Sequence, residues 1–228
     1  MKAMILAAGR GERLRPLSDR LPKPLVPAGG KALIAWLLER LAAAGVREVV
    51  MNVSHLGAQI EAALGNGAAF GLAIAYSREA QPLESAGGIA QARALLGDAP
   101  FLLANADVYS DFDLASLRGR SLGNDIAHLV LAPNPAHHPG GDFSLADGRA
   151  GNATAPRYTY TGMALVDPVL VSPVRAGAKA ALAPLLRAAA DAGRLSGELH
   201  RGLWRDVGTA ERLAELDQLL EARTRAGT

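Results

Sequence analysis

Along its first half the chain switches hydrophobic period repeatedly, and that alternation leaves few folds open to it. Strand-length apolar runs at Lys2–Leu6, Glu48–Val53, Leu72–Tyr76 and Phe101–Ala104 are separated by amphipathic stretches of helical length at Leu33–Ala44, Leu56–Leu64 and Gly88–Leu96. Strand and helix in turn is the order of βαβ units, which predicts an α/β, Rossmann-like fold with a mostly parallel central sheet flanked by helices. From Asp125 the rhythm changes, with strands expected at Ile126–Leu131, Phe143–Leu145 and Tyr158–Val166 and helices at Ala180–Ala192 and Thr209–Arg223. These are expected to add strands and a lid to the same sheet, so residues 1–228 are read as one domain with halves at 1–124 and 125–228. The Pro- and Gly-rich stretches Pro133–Gly141 and Asp147–Pro156 are expected to be surface loops.

Charge and cysteine content narrow the ligand classes. Twenty-four Lys and Arg against twenty-two Asp and Glu leave a formal charge of +2, too little for the basic stripe of a nucleic-acid binder. Any anionic ligand must therefore meet locally concentrated positive charge. The absence of cysteine excludes disulfides and thiolate metal sites and suits a reducing compartment. Met1–Ala8 lacks the charged lead and cleavage pattern of a signal peptide, and no apolar run reaches membrane-spanning length. A cytoplasmic protein with no membrane association and no obligate protein partner is expected.

Local positive charge appears at the end of the first strand, in Leu6-Ala-Ala-Gly-Arg-Gly-Glu-Arg-Leu-Arg-Pro16. Gly9 and Gly11 let the backbone approach a phosphate chain without a Cβ in the way, and the turn exposes N–H groups to it. Arg10, Arg13 and Arg15 add charge. A glycine turn after a first strand is equally compatible with plain structure. This one lacks the last glycine of the dinucleotide fingerprint and the Gly-Lys-Ser/Thr of the P-loop, which disfavours both of those classes. Ten residues after Arg13, Lys23 stands in Pro22-Lys-Pro-Leu-Val-Pro27, where prolines on either side restrict the backbone and hold an ammonium in place at low entropic cost.

The patterns Gly9 to Pro16 and Pro22 to Leu25 resemble the opening of the sugar-phosphate nucleotidyltransferases, and the resemblance runs over nearly the whole chain. It implies a glycosyltransferase-A-like nucleotide-binding fold and, as partners, a nucleoside triphosphate and a sugar 1-phosphate. In that family the glycine-rich loop wraps the triphosphate, which implies nucleotide contacts from Ala8, Gly9, Gly11, Glu12 and Arg13. The resemblance further implies catalytic roles for Arg13, on the departing pyrophosphate, and for Lys23, on the reacting phosphates.

Two carboxylates are candidates for a metal. Phe101-Leu-Leu-Ala-Asn-Ala-Asp-Val108 is an apolar strand delivering Asn105 and Asp107 to the carboxyl edge of the sheet, where ligands of open α/β folds bind. Mg²⁺ prefers one or two carboxylates with phosphate oxygens and water, although an Asp there also suits a turn or a helix cap. Asp206, in Trp204-Arg-Asp-Val-Gly-Thr209, is the second candidate. The family resemblance implies that Asp107 and Asp206 are the two metal ligands and Mg²⁺ the cofactor. Gln81-Pro-Leu-Glu-Ser-Ala-Gly-Gly88 resembles the base-reading segment, implying base contacts from Gln81 and Gly87, and is alternatively a helix start.

On the acceptor side, Asn134–Phe143 and Thr161-Gly162 resemble the part of the family that holds the sugar phosphate, which implies Asn105, Gly140, Gly141, Thr161 and Gly162 there. The His137-His138 run and Ser196-Gly-Glu-Leu-His200 are similar to the branch that uridylylates N-acetylmuramate 1-phosphate in bacterial cell-wall recycling. Adjacent histidines lack zinc-motif spacing and read as solvated loop residues. The acidic residue and lysine that several relatives set against the sugar phosphate have no counterpart in Gly151–Tyr160, and Lys179 is the candidate lysine. The same parts would serve a mannose-1-phosphate guanylyltransferase or a glucose-1-phosphate uridylyl- or thymidylyltransferase. A non-catalytic nucleotide-sugar sensor is opposed by the intact Arg13, Lys23, Asp107 and Asp206, and a dinucleotide-dependent oxidoreductase by the incomplete glycine fingerprint. No hexapeptide-repeat domain is expected at the C-terminus.

Overall fold

A computed structural model describes residues 1–153 and 156–226. In chain order its elements begin with β1 (Ala3–Leu6), the short hairpin β2 (Pro27–Ala28) and β3 (Lys31–Ala32), α1 (Leu33–Ala43), β4 (Glu48–Val53), α2 (Gly57–Leu64) and β5 (Ala73–Arg78). Next come α3 (Glu84–Gln91), α4 (Arg93–Leu96), β6 (Phe101–Asn105), β7 (Val108–Ser110), α5 (Leu114–Arg118) and β8 (Ala127–Ala132). The remainder is β9 (Phe143–Ala146), β10 (Arg149–Gly151), β11 (Arg157–Val166), α6 (Leu182–Asp191), β12 (Leu195–Leu199), β13 (Trp204–Asp206) and α7 (Ala210–Ala226). Among the described residues nine strands share one sheet in the order β5-β4-β1-β6-β11-β8-β12-β10-β9, so the second half extends the sheet of the first.

The parallel pairing expected from the βαβ rhythm holds across β5-β4-β1-β6. Beyond β6 the sheet is mixed. β11 enters antiparallel to both β6 and β8, because the second half no longer alternates strand with crossover helix. Successive side chains in a strand face opposite ways, and both faces of this sheet are buried. Ala3, Ile5, Val49, Met51, Leu102 and Leu165 point to the face covered by α1 and α2 through Ile34, Leu38, Leu41 and Ile60. Met4, Val50, Phe101, Leu103, Ala164 and Val166 point to the face covered by α3 and α6 through Ile89, Leu182 and Leu186. Helix α7 packs Leu216 and Leu220 on Ala28, Leu33, Tyr109 and Val207, beside the ribbon formed by β7 and β13.

Three local expectations need correction. Residues 147–156 were expected to be loop, yet Arg149–Gly151 pairs with Phe143–Ala146. Asp147 and Gly148 lie at φ 49 and 73, the two left-handed residues that a type I′ hairpin requires, and Asp-Gly is its preferred sequence. Residues 154 and 155 of that stretch lie outside the described residues. The helix expected over Gly88–Leu96 starts four residues earlier, at Glu84, and is interrupted at Ala92. Leu195–Leu199 and Trp204–Asp206 are strands with no counterpart in the expected element list.

Candidate active site

In the order β5-β4-β1-β6, strands added on one side of β1 give way to β6 on the other, and a crevice opens at the carboxyl ends of the strands at such a reversal. A cleft of about 910 Å³ lies there. Ala8, Gly9, Gly11, Glu12, Arg13, Lys23, Gln81, Asn105 and Asp107 line it, together with Arg10, Asn52, Glu84, Ser85, Lys179 and Gly208. Of the candidates for phosphate, base and metal contact, the loop after β1, Lys23, Gln81 and Asp107 thus share one cavity, whereas Gly87 and Asp206 are not on its lining.

Backbone conformation shapes the glycine loop after β1. Gly11 sits at φ 66, and a Cβ there would come within 3.2 Å of Ser18 Cβ and 3.3 Å of Lys23 Cβ, so glycine lets the loop lie on the lysine turn. The buried Ser18 hydroxyl donates to Gly11 O at 2.8 Å and ties the loop down. Lys23 begins a 3-10 turn after Pro22, its side chain is only 11% exposed, and its ammonium donates to the Asp107 carboxylate. Arg10 and Arg13 are both exposed.

Asp206 does not line the cleft, but β13 brings it close to Asp107. Asp206 pairs with Val108 across the ribbon, and Val207 N donates to Asp107 O at 2.9 Å. Its carboxylate meets His137 Nε2 at 3.2 Å and the Arg212 guanidinium. Arg212 packs beneath Gly208, where a Cβ would lie 2.1 Å from Nη2. Among the described residues no group of three or more His, Asp or Glu side chains is arranged to hold a metal.

A buried network joins the two ends of the cleft. Asn52, at the end of β4, accepts from Ala7 N at 2.8 Å through Oδ1 and donates to Glu79 Oε1 at 2.7 Å through Nδ2. Glu79 also accepts from Leu83 N at 2.8 Å. The loop after β1 is thereby fixed to the segment carrying Gln81. Gly88 leaves the space this requires, since its Cβ would fall 2.5 Å from Asn52 Nδ2 and 2.8 Å from Glu79 Oε1. Neither Asn52 nor Glu79 stands in a motif that marks it in the sequence.

Gly87 does not line the cleft. Its N–H and that of Ala86 both donate to Ala180 O, at 3.0 and 2.9 Å, and a Cβ would sit 2.3 Å from Ala178 O. It is the docking point for the 178–182 segment, which carries Lys179 to the cleft mouth. Gly87→Ala is expected to force this segment away and to lower unfolding free energy by about 1–3 kcal/mol, read from the denaturant midpoint at unchanged m.

The acceptor-side candidates are scattered. Asn105 is on the cleft, and Gly162, at φ 81, abuts it, a Cβ there lying 2.5 Å from Asn105 Nδ2. The Thr161 hydroxyl is buried and donates to Val130 O at 2.7 Å, while Thr161 O accepts from Trp204 Nε1 at 3.0 Å. Gly140 and Gly141 lie in the Asn134 loop, which is closed by Asn134 Nδ2 donating to Pro139 O at 3.0 Å, and neither lines the cleft. Ser196 and Glu198 meet His128 within the sheet at 3.0 Å each, and His200 meets Asp111 at 2.9 Å. Burial pushes the His128 imidazole below its usual pKa.

A glycine loop at one strand end, a lysine turn pressed against it and a carboxylate at the next strand end thus meet in one cleft. The nucleotidyl transferase family model matches residues 2–126, and the chain belongs to this family as a sugar-1-phosphate nucleotidyltransferase. It is 50% identical over 233 aligned residues to the N-acetylmuramate alpha-1-phosphate uridylyltransferase of Neisseria meningitidis serogroup B, covering 97% of this chain and 99% of that relative. The enzyme of the same name from Caulobacter vibrioides is 36% identical, covering 96% and 97%. HddC from Yersinia pseudotuberculosis complexed with GMP-PN has the same fold at TM-score 0.78 and 19% identity, covering 96% of this chain and 98% of that one.

Proposed function

We propose that the chain transfers a uridylyl group from UTP to N-acetylmuramic acid α-1-phosphate with Mg²⁺, releasing pyrophosphate, as a cytoplasmic step of cell-wall recycling. The observation that carries the reaction is the cleft itself, which gathers Gly11, Lys23 and Asp107 with Gln81 on one lining. Support for the two substrates comes from the full-length similarity to the Neisseria and Caulobacter enzymes.

The nucleophile is a phosphate oxygen of the sugar 1-phosphate, which is mostly dianionic at neutral pH because its second pKa is about 6, so no general base is needed. That oxygen forms a bond to the α-phosphorus as the bond to the bridging oxygen of pyrophosphate breaks on the opposite side. The protein has to bring two anions together, align them and stabilise the added charge. Gly9 and Gly11 admit the phosphate chain to the loop, Arg13 holds the departing pyrophosphate, and the Lys23 ammonium lies against the reacting phosphates. Asp107, in the turn before β7, and Asp206, at the end of β13, offer oxygen donors. Mg²⁺ prefers one or two carboxylates together with phosphate oxygens and water, and Asp107 and Asp206 are the residues that would hold it. When bound, the ion supplies charge stabilisation to the phosphates.

A panel of triphosphates crossed with sugar 1-phosphates, read by pyrophosphate release, tests the assignment. UTP with N-acetylmuramic acid α-1-phosphate is expected to give the highest kcat/KM. N-acetylglucosamine 1-phosphate is expected to fall at least about tenfold lower if the pocket contacts the lactyl carboxylate, since a polar partner is then left unpaired when that carboxylate is missing. GTP and ATP are expected to be poor donors. If mannose 1-phosphate with GTP were the best pair, the substrate assignment would be wrong and the reaction class would stand.

A further inference from the structure

Glu84 holds its backbone at φ 62, in the left-handed region that glycine adopts without strain. Among the described residues, Leu56, Glu84 and Asp147 are the non-glycines in that region, and only Glu84 lines the cleft. Asp147 forms a hairpin turn and Leu56 directly precedes α2, so the local chain geometry accounts for both. Glu84 is the first residue of α3, and the chain around it is pinned to the 178–182 segment. Ala180 N donates to Leu83 O at 3.0 Å, Leu182 N donates to Ser85 Oγ at 2.9 Å, and Ala180 O takes the N–H groups of Ala86 and Gly87.

This pinning places Lys179 across the cleft mouth, its Nζ 3.4 Å from Glu84 Oε1. The two side chains are 67% and 45% exposed, and an ion pair so wet contributes too little to explain why a strained position carries glutamate. The position of Glu84 on the cleft offers a better reason. Its sequence neighbours on the lining are Gln81, Pro82 and Ser85, whereas Arg10, Arg13 and Lys23 belong to the phosphate loop and the lysine turn. A carboxylate is an acceptor only, so it suits the nucleoside end, where donors are the N–H of the base and the hydroxyls of the ribose.

We propose that Glu84 is a specificity-determining residue of the nucleotide site, its carboxylate, steadied by Lys179, accepting a hydrogen bond from an N–H or O–H donor of the nucleoside. The proposal rests on the reading of the cleft as a triphosphate site. It accounts for the strained backbone as the cost of aiming an acceptor at the nucleoside, and it sets stability and recognition in opposition at this residue.

The test uses full-length wild type, Glu84→Gly and Glu84→Gln, with Tm and with kcat and KM for UTP, N3-methyl-UTP, 2′-deoxy-UTP and 3′-deoxy-UTP. Glu84→Gly is expected to keep or raise Tm, while KM for UTP rises at least about tenfold and kcat stays within about threefold. Wild type is expected to disfavour one class of analogue at least about tenfold, and Glu84→Gly to disfavour it less than about twofold. Loss of discrimination against the N3-methyl analogue assigns the base N–H as donor, and loss against a deoxy analogue assigns a ribose hydroxyl. If both variants keep the wild-type KM and all discrimination ratios, the proposal is overturned and Glu84 is a surface partner of Lys179. If wild type turns over none of the triphosphates, it is the reading of the cleft that fails.

Discussion

Replacing Asp107 by Asn, or Asp206 by Asn, is expected to lower kcat at least about a hundredfold at saturating Mg²⁺, because each change keeps the size of the side chain and removes its charge where electrostatics carry the reaction. The two positions differ in what else is lost. Asp107 also accepts from the Lys23 ammonium, so its replacement frees a cation that the carboxylate holds in place. Asp206 faces His137 and Arg212, so its replacement removes one of the contacts tying the Asn134 loop to α7 and leaves the direct contact of Arg212 with His137 at 2.8 Å. A metal titration of each variant separates these contributions, since a lost ligand raises the Mg²⁺ concentration for half-maximal rate and a displaced lysine does not. Near-wild-type turnover by both variants would remove both residues from the metal assignment.

The reach of sequence reasoning in this protein follows from how far apart the interacting residues lie. The βαβ rhythm, the glycine turn after β1 and the lysine between prolines are local patterns, and each corresponds to a local structure of the type expected. Asn105 and Asp107 were placed at a strand end by the apolar run before them, and they line the cleft. By contrast, the Ala7-Asn52-Glu79-Leu83 network depends on the carboxyl ends of β1, β4 and β5 meeting side by side, and no spacing in the sequence announces it. The β7–β13 ribbon has the same character, joining Val108 to Asp206 through a pairing that neither segment predicts. Glycines were the least legible residues. Gly11, Gly87, Gly88 and Gly162 all stand where a neighbour comes too close for a Cβ, yet that neighbour is Lys23, the Ala178 carbonyl, Asn52 or Asn105, and only the fold says which. The Asp147-Gly148 dipeptide carries a hairpin signal, yet the turn-rich sequence around it reads as loop and conceals the strand Arg149–Gly151.

Lys23→Ala is expected to lower kcat about 10²–10³-fold, and Arg10→Ala to change it little, although both side chains border the same cleft. Charge alone does not distinguish them, and preorganisation does. Lys23 stands on a turn fixed by Pro22 and Pro24, presses against Gly11, is 11% exposed and is already aimed by its bond to Asp107. An ammonium held in that way needs no reorganisation as charge moves toward the departing pyrophosphate. Arg10 is exposed on the loop between two glycines, so any contact it makes is shared with water and adds little. Lys23→Arg sharpens the comparison, because it keeps the charge and changes the shape of the head group, and it is expected to recover only part of the loss. Measuring kcat and KM for all three variants with one triphosphate decides the matter. Equal losses for Lys23→Ala and Arg10→Ala would mean that a diffuse basic patch, and not one positioned lysine, stabilises the reacting phosphates.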